Sequence, residues 1–184
     1  MAHPGQPSPE IGDRVLVIAC GMLAREILAV KELNGLDHLD LTCLPADFHF
    51  HPDRIAPAMD AAIAEAKTRG YRHIFAGYAD CGTGGMLDRV LERHGIERMA
   101  GAHCFAFYQG NAAFEASGDR DMLAFYMTDF LCRQFDAFFI RPLGLDRHAV
   151  EARQVEPGHD LAAQIEGAQR PVAAAQGLTR HLDA

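Results

Sequence analysis

Short, β-branched apolar runs alternate with longer segments of helical periodicity through the first half of the chain, and this alternation constrains the fold most. Arg14–Ala19 (RVLVIA) has the continuous apolar character of a strand buried on both faces. Met22–Leu33 then sets Leu23, Ile27 and Val30 on one helical face, and Asn34-Gly35 ends the helix. Leu39–Leu44 reads as a second strand and Pro45–His51 as a loop. Pro52 and Asp53 open a helix whose buried stripe is Ile55, Met59, Ile63 and Ala66, with Gly70 as its stop. His73–Tyr78 is the third strand and Met86–His94 a short helix closed by Gly95. Arg98–Gly101 is expected as a weak fourth strand, Leu123–Met127 as a fifth, and Asp129–Phe138 as a helix. Successive strands joined by helices have the length needed for parallel crossovers. The expected fold is therefore α/β, a Rossmann-like three-layer sandwich with a mostly parallel sheet. Residues 1–13, polar and Pro-rich, are expected as a flexible lead-in, and 14–148 as one domain. Residues 149–184 lack aromatics altogether and are expected to be a partly disordered or loosely helical tail.

Three cysteines stand where these strands run out: Cys20, Cys81 and Cys104. Reactive groups collect outside the carboxyl ends of strands in an open parallel sheet, so three thiols distant in sequence can meet there. Two of them share a context, because Cys-Gly precedes Met-Leu-x-Arg at both 20–25 and 81–89, the second with Thr-Gly-Gly inserted. A thiol at the start of a helix faces unpaired N–H groups that favour thiolate, the form that binds metals and attacks electrophiles. Gly82, Gly84 and Gly85 allow close approach of a substrate to the backbone. His103 adjoins Cys104, while His49 and His51 lie in the loop after the second strand, on the same expected rim. Asp80 is placed to orient the set or to move a proton. Cys43 and Cys132 are expected in the core, and Thr128 as a helix N-cap.

Composition removes other classes. The net charge of −8 without a basic cluster argues against a nucleic-acid partner. No apolar run approaches the roughly 20 residues that span a bilayer, and no signal-peptide pattern opens the chain. A cytoplasmic protein is expected, which makes five cysteines more plausible as metal-binding, catalytic or buried thiols than as a disulfide framework. The only serines, Ser8 and Ser117, form no nucleophile elbow, and no CxxC or HExxH spacing occurs.

Several of these stretches also resemble a known family. Cys20-Gly21-Met22-Leu23-Ala24-Arg25-Glu26-Ile27, the Leu44-Pro45…His49…Pro52 loop, Tyr78-Ala79-Asp80-Cys81-Gly82-Thr83-Gly84-Gly85 and His103-Cys104 are similar to motifs of the DUF1638 family of uncharacterised proteins. Thr128-Asp129-Phe130-Leu131 and Leu143-Gly144-Leu145-Asp146-Arg147-His148 match its later signatures, so the resemblance spans about residues 14–148. The family pattern has a histidine at the position of His49, usually followed by Asn where this chain has Phe50, which favours His49 over His51. Its relatives continue after His148 with an aromatic-rich segment, from which this chain departs.

The resulting expectation is a metal-binding protein and small-molecule enzyme. Cys20, Cys81 and Cys104 hold zinc or an iron–sulfur cluster, with His49 and Asp80 as catalytic groups. Gly82, Gly84, Gly85 and His103 face the substrate, and self-association as a homo-oligomer stays open. One-carbon or methyl metabolism is implied only by a loose association of the family. Two alternatives stand beside it. One is a metal-free enzyme with Cys81 as nucleophile and an oxyanion site from the Gly82–Gly85 amides. The other is a non-catalytic small-molecule-binding module.

Overall fold

A computed structural model of the chain describes residues 10–117 and 127–147. The chain divides into two compact units, residues 1–104 and 105–184.

The first unit is built on three parallel strands in the order β2-β1-β3, with β1 at Val15–Cys20, β2 at Leu39–Leu44 and β3 at His73–Gly77. The RVLVIA run takes the central position because it alone is apolar enough to be covered on both faces. Leu16 to Ala19 are at most 2% exposed. Register aligns Ala19 with Gly77 and Cys20 with Leu44, so the carboxyl ends of the three strands lie level. A Cβ on Gly77 would stand 3.0 Å from the Ala19 Cβ and 3.1 Å from Val17 Cγ1, so glycine sets how closely β3 packs beside β1.

Helices α1 (Ala24–Leu33), α2 (Pro52–Thr68) and α3 (Met86–His94) follow the strands in turn. The expected stripe of α2 is buried, with Ala56 added to it, and α3 turns Leu87, Val90 and Leu91 inward. The entries of α1 and α2 are tighter than the periodicity implied. Gly21–Leu23 is a 3-10 turn before α1, and the expected loop before α2 contains a 3-10 turn at Ala46–Phe50. At the opposite, amino-terminal edge of the sheet, the Arg14 guanidinium grips Asp40 at 2.6 and 2.5 Å. The Tyr71 hydroxyl donates to the same carboxylate at 2.8 Å, tying the starts of all three strands together.

The expected fourth strand does not form a ladder. Ala76 makes a single parallel bridge to Arg98, through Ala76 N to Glu97 O at 2.9 Å and Met99 N to Ala76 O at 3.0 Å. The chain then turns at Gly101, φ +132°, while the Arg98 side chain is drawn away to Asp88 and to the Met99 carbonyl. Pairing resumes one step further on, where Asp80 N donates to Gly101 O at 3.1 Å and Cys81 N to Ala102 O at 2.8 Å. This run lies alongside the chain leaving β3 and delivers Cys104 to the strand ends.

In the second unit the described elements are α4 (Ala106–Gln109), α5 (Asn111–Ser117), α6 (Asp129–Arg133) and a π-helical turn at Asp136–Ile140. The helix expected over Asp129–Phe138 is thus interrupted after Arg133. Thr128 caps α6 as expected, its hydroxyl accepting from Leu131 N at 3.2 Å. The expected fifth strand at Leu123–Met127 falls almost wholly outside the described residues, as do residues 1–9 of the lead-in and the whole tail at 149–184, while Ile11–Asp13 at the end of the lead-in forms a 3-10 turn.

Candidate functional site

The strand order itself selects a place. From β1 the chain moves to one side to form β2 and returns to the other side to form β3, so the switch point lies at the carboxyl ends of β1 and β3. Cys20 is the last residue of β1, and Cys81 follows β3 by four residues.

The link from β3 to α3 is unusual backbone. Cys81 has φ +49° and is the one non-glycine residue with positive φ among the described residues. Gly82, Gly84 and Gly85 follow it with φ of +80°, +59° and +78°. Side chains rarely occupy this left-handed region, and a cysteine held there marks a position that the surroundings over-determine. Asp80 supplies much of that restraint. Its carboxylate accepts from Thr83 Oγ1 at 2.7 Å, Gly85 N at 3.1 Å and Gly84 N at 3.3 Å. Burial pushes the Asp80 carboxyl up, but these donors and the Arg98 charge outweigh it and hold it below the ordinary range. Asp80 therefore clamps the glycine loop, and the Gly84 and Gly85 amides point at it. A Cβ on Gly82 would lie 3.4 Å from Pro52 Cγ, which seats this loop on the first turn of α2.

The loop brings Cys81 Sγ to 2.9 Å from Cys104 Sγ, both thiols free. The hydrogen bond with the Cys104 thiol holds Cys81 below the ordinary thiol range against the opposing effect of burial, helped by the backbone N–H groups of Cys104 and Ala79. Cys104 moves the opposite way, well up, through its contact with Cys81 and its own burial. Cys20 is buried, its thiol raised by burial, with Cys81 close enough that a charge there would raise it further.

Two imidazoles stand in the same unit. His49 and His103 meet edge to face with ring centroids 5.5 Å apart. Burial lowers His49, and burial with the neighbouring His49 pushes His103 down to about 4, so both rings are neutral near pH 7. His51, at the start of α2, is exposed.

One group was not singled out by sequence. Tyr78 is 1% exposed, and its hydroxyl makes no hydrogen bond of good geometry among the described residues although the Cys20 thiol lies near it. Burial and the adjacent Cys20, Cys104 and Cys81 hold the phenol protonated. The available signal was a tyrosine closing a buried apolar run, since a buried phenol ordinarily has a partner. Cys43 and Cys132, expected in the core, are both exposed. Strand β2 is an edge strand whose middle is only partly covered, and α6 is a single short turn that points Leu131 inward instead.

Among the described residues no three His, Cys, Asp or Glu side chains already form a set that could hold a metal ion. No described helix is long and apolar enough to cross a membrane.

A family model described as a protein of unknown function, DUF1638, matches residues 43–180. The chain belongs to the DUF1638 family. No curated protein and no solved structure matches it. The DUF1638 match contains Cys81, Cys104, His49 and His103, begins after Cys20, and runs on through most of the aromatic-free segment beyond residue 148.

Proposed function

We propose that this chain is a metal-binding protein built on Cys81 and Cys104 and completed by Cys20, with the His49–His103 imidazoles as its companions. Zinc or an iron–sulfur centre is the metal that this donor set suits. The observation that carries the reading is the 2.9 Å contact between the two sulfurs. Two thiols this close cannot both ionise without a cation, and a cation between them would remove that conflict. The imidazoles are kept neutral by burial, which leaves a ring nitrogen lone pair free to accept a proton. The pair fits a metal only after a small adjustment. Tetrahedral bonds of about 2.3 Å separate two sulfurs by about 3.7 Å, so the thiols must part and a third donor must move in as the ion binds.

The metal would supply Lewis acidity towards a small-molecule substrate entering at the switch point. Around it, Asp80 holds the loop that presents Cys81, and His49 moves a proton. His103 and the Gly82–Gly85 turn line the approach, with Gly82 the loop glycine whose amide is not directed at Asp80. Tyr78 offers an O–H to the bound molecule. We read the parallel sheet as the centre of a Rossmann-like three-layer sandwich in a cytoplasmic protein, where thiols stay reduced. The acidic balance keeps nucleic acid off the partner list.

A metal-free enzyme with Cys81 as nucleophile is the second reading, favoured by the depressed Cys81 thiol. It is the weaker one because the Gly84 and Gly85 amides are already turned to Asp80 and are not free to stabilise an oxyanion. Cobalt(II) titration of the reduced, metal-stripped protein separates the two. The metal reading expects saturation near about one ion per chain with thiolate-to-cobalt charge-transfer absorption, and loss of that absorption in Cys81→Ser and Cys104→Ser. No such absorption, with stoichiometric alkylation of Cys81 at neutral pH, would select the second.

A further inference from the structure

We infer that Cys81 and Cys104 form a reversible dithiol–disulfide couple, open to exchange with low-molecular-weight disulfides. Their sulfurs stand 2.9 Å apart and would close to about 2.05 Å on bonding, a movement that side-chain rotation can supply. The backbone already holds the two segments side by side, through Asp80 N to Gly101 O and Cys81 N to Ala102 O. The pair is also asymmetric in access. Cys104 is 6% exposed, whereas Cys81 is only partly covered, so an incoming disulfide meets Cys81 first.

The exchange balances without a further reactant. The Cys81 thiolate attacks one sulfur of RSSR, forming Cys81–SR and releasing RS⁻. Cys104 then gives up its proton and attacks the Cys81 sulfur, the Cys81–SR bond breaks, and a second RS⁻ leaves. Two protein thiols are oxidised to one disulfide and one RSSR is reduced; the proton Cys81 loses on forming its thiolate and the one Cys104 gives up convert 2 RS⁻ to 2 RSH. Because a disulfide sulfur is no longer a thiolate ligand, oxidation and metal occupancy exclude each other. The inference does not depend on the metal reading.

The test uses the full chain carrying Cys43→Ser and Cys132→Ser, which removes the two exposed thiols. It is equilibrated in glutathione buffers of increasing oxidation, alkylated, digested and mapped by mass spectrometry. The expected result is a Cys81–Cys104 cross-link with Cys20 alkylated, fully reversed by excess reduced glutathione. Adding Cys104→Ser should trap glutathione on Cys81, while Cys81→Ser should leave Cys104 unmodified. Alkylation of both residues at every buffer composition, or a cross-link through Cys20, would overturn the inference even if the variants misfold. Cobalt titration of the same samples keeps the two claims apart. Cross-linking without cobalt binding by the reduced chain sinks only the metal centre, and cobalt binding without cross-linking sinks only the couple.

Discussion

Asp80 spends its carboxylate on the loop that carries Cys81. Its two oxygens accept three hydrogen bonds from the loop that follows, and Cys81 keeps its left-handed backbone inside that clamp. From sequence the same residue could either orient the set or move a proton, because position beside Cys81 does not reveal where a carboxylate's lone pairs are spent. Replacing it by alanine strands the Thr83 hydroxyl and two amides, at a cost of about 1–3 kcal/mol. The loop would then present Cys81 less rigidly, and metal affinity should fall by about 10-fold or more, as when an outer-shell partner is lost. Paired chemical-denaturation and cobalt-binding curves on Asp80→Ala check both effects. Unchanged cobalt affinity in a folded variant would remove Asp80 from the positioning role.

At the scale of elements, the sheet is held at its amino-terminal edge by charge and near its carboxyl edge by close contact. Gly77→Ala would drive a methyl to within 3.0 Å of the Ala19 Cβ and push β3 off β1. The expected loss is about 1–3 kcal/mol, read from the urea midpoint. At the amino-terminal edge, the Arg14 hydrogen bond holds the Asp40 carboxyl below its ordinary range, with the Tyr71 hydroxyl assisting and burial opposing. Unfolded, Asp40 titrates near about 3.9. The clasp's contribution is therefore complete above that pH and is lost as pH falls through the lower folded value. Asp40→Asn should cost about 1–2 kcal/mol at neutral pH, discounted for partial exposure, and should flatten the acid limb of stability between about pH 4 and 2. An unchanged acid limb would contradict the clasp. The elements most legible in sequence were those with unmixed periodicity, namely β2, α2 and α3. Arg98–Gly101 was misjudged because a strand needs successive backbone pairs, and a side chain committed to Asp88 with a glycine turn behind it breaks the ladder after the bridge at Arg98. The meeting of Cys81 with Cys104, and of His49 with His103, was legible only as a shared rim. Distances between loop residues depend on turn geometry that residue spacing does not carry.

For the whole molecule, a three-stranded parallel sheet with β1 at its centre directs the strand-end loops towards one switch point, where Cys20, Cys81 and Cys104 surround the buried Tyr78, while His49 and His103 pair with each other. The family match leaves the reaction open, so the account stands on the donors themselves. Its central claim is that the chain holds a metal through Cys81 and Cys104. Elemental analysis of protein purified reduced and anaerobically, alongside Cys81→Ser/Cys104→Ser, tests this most directly. The account predicts zinc or iron near stoichiometry in the natural chain and background in the double variant. Background metal in both, persisting after reconstitution with zinc and with iron plus sulfide, would contradict it.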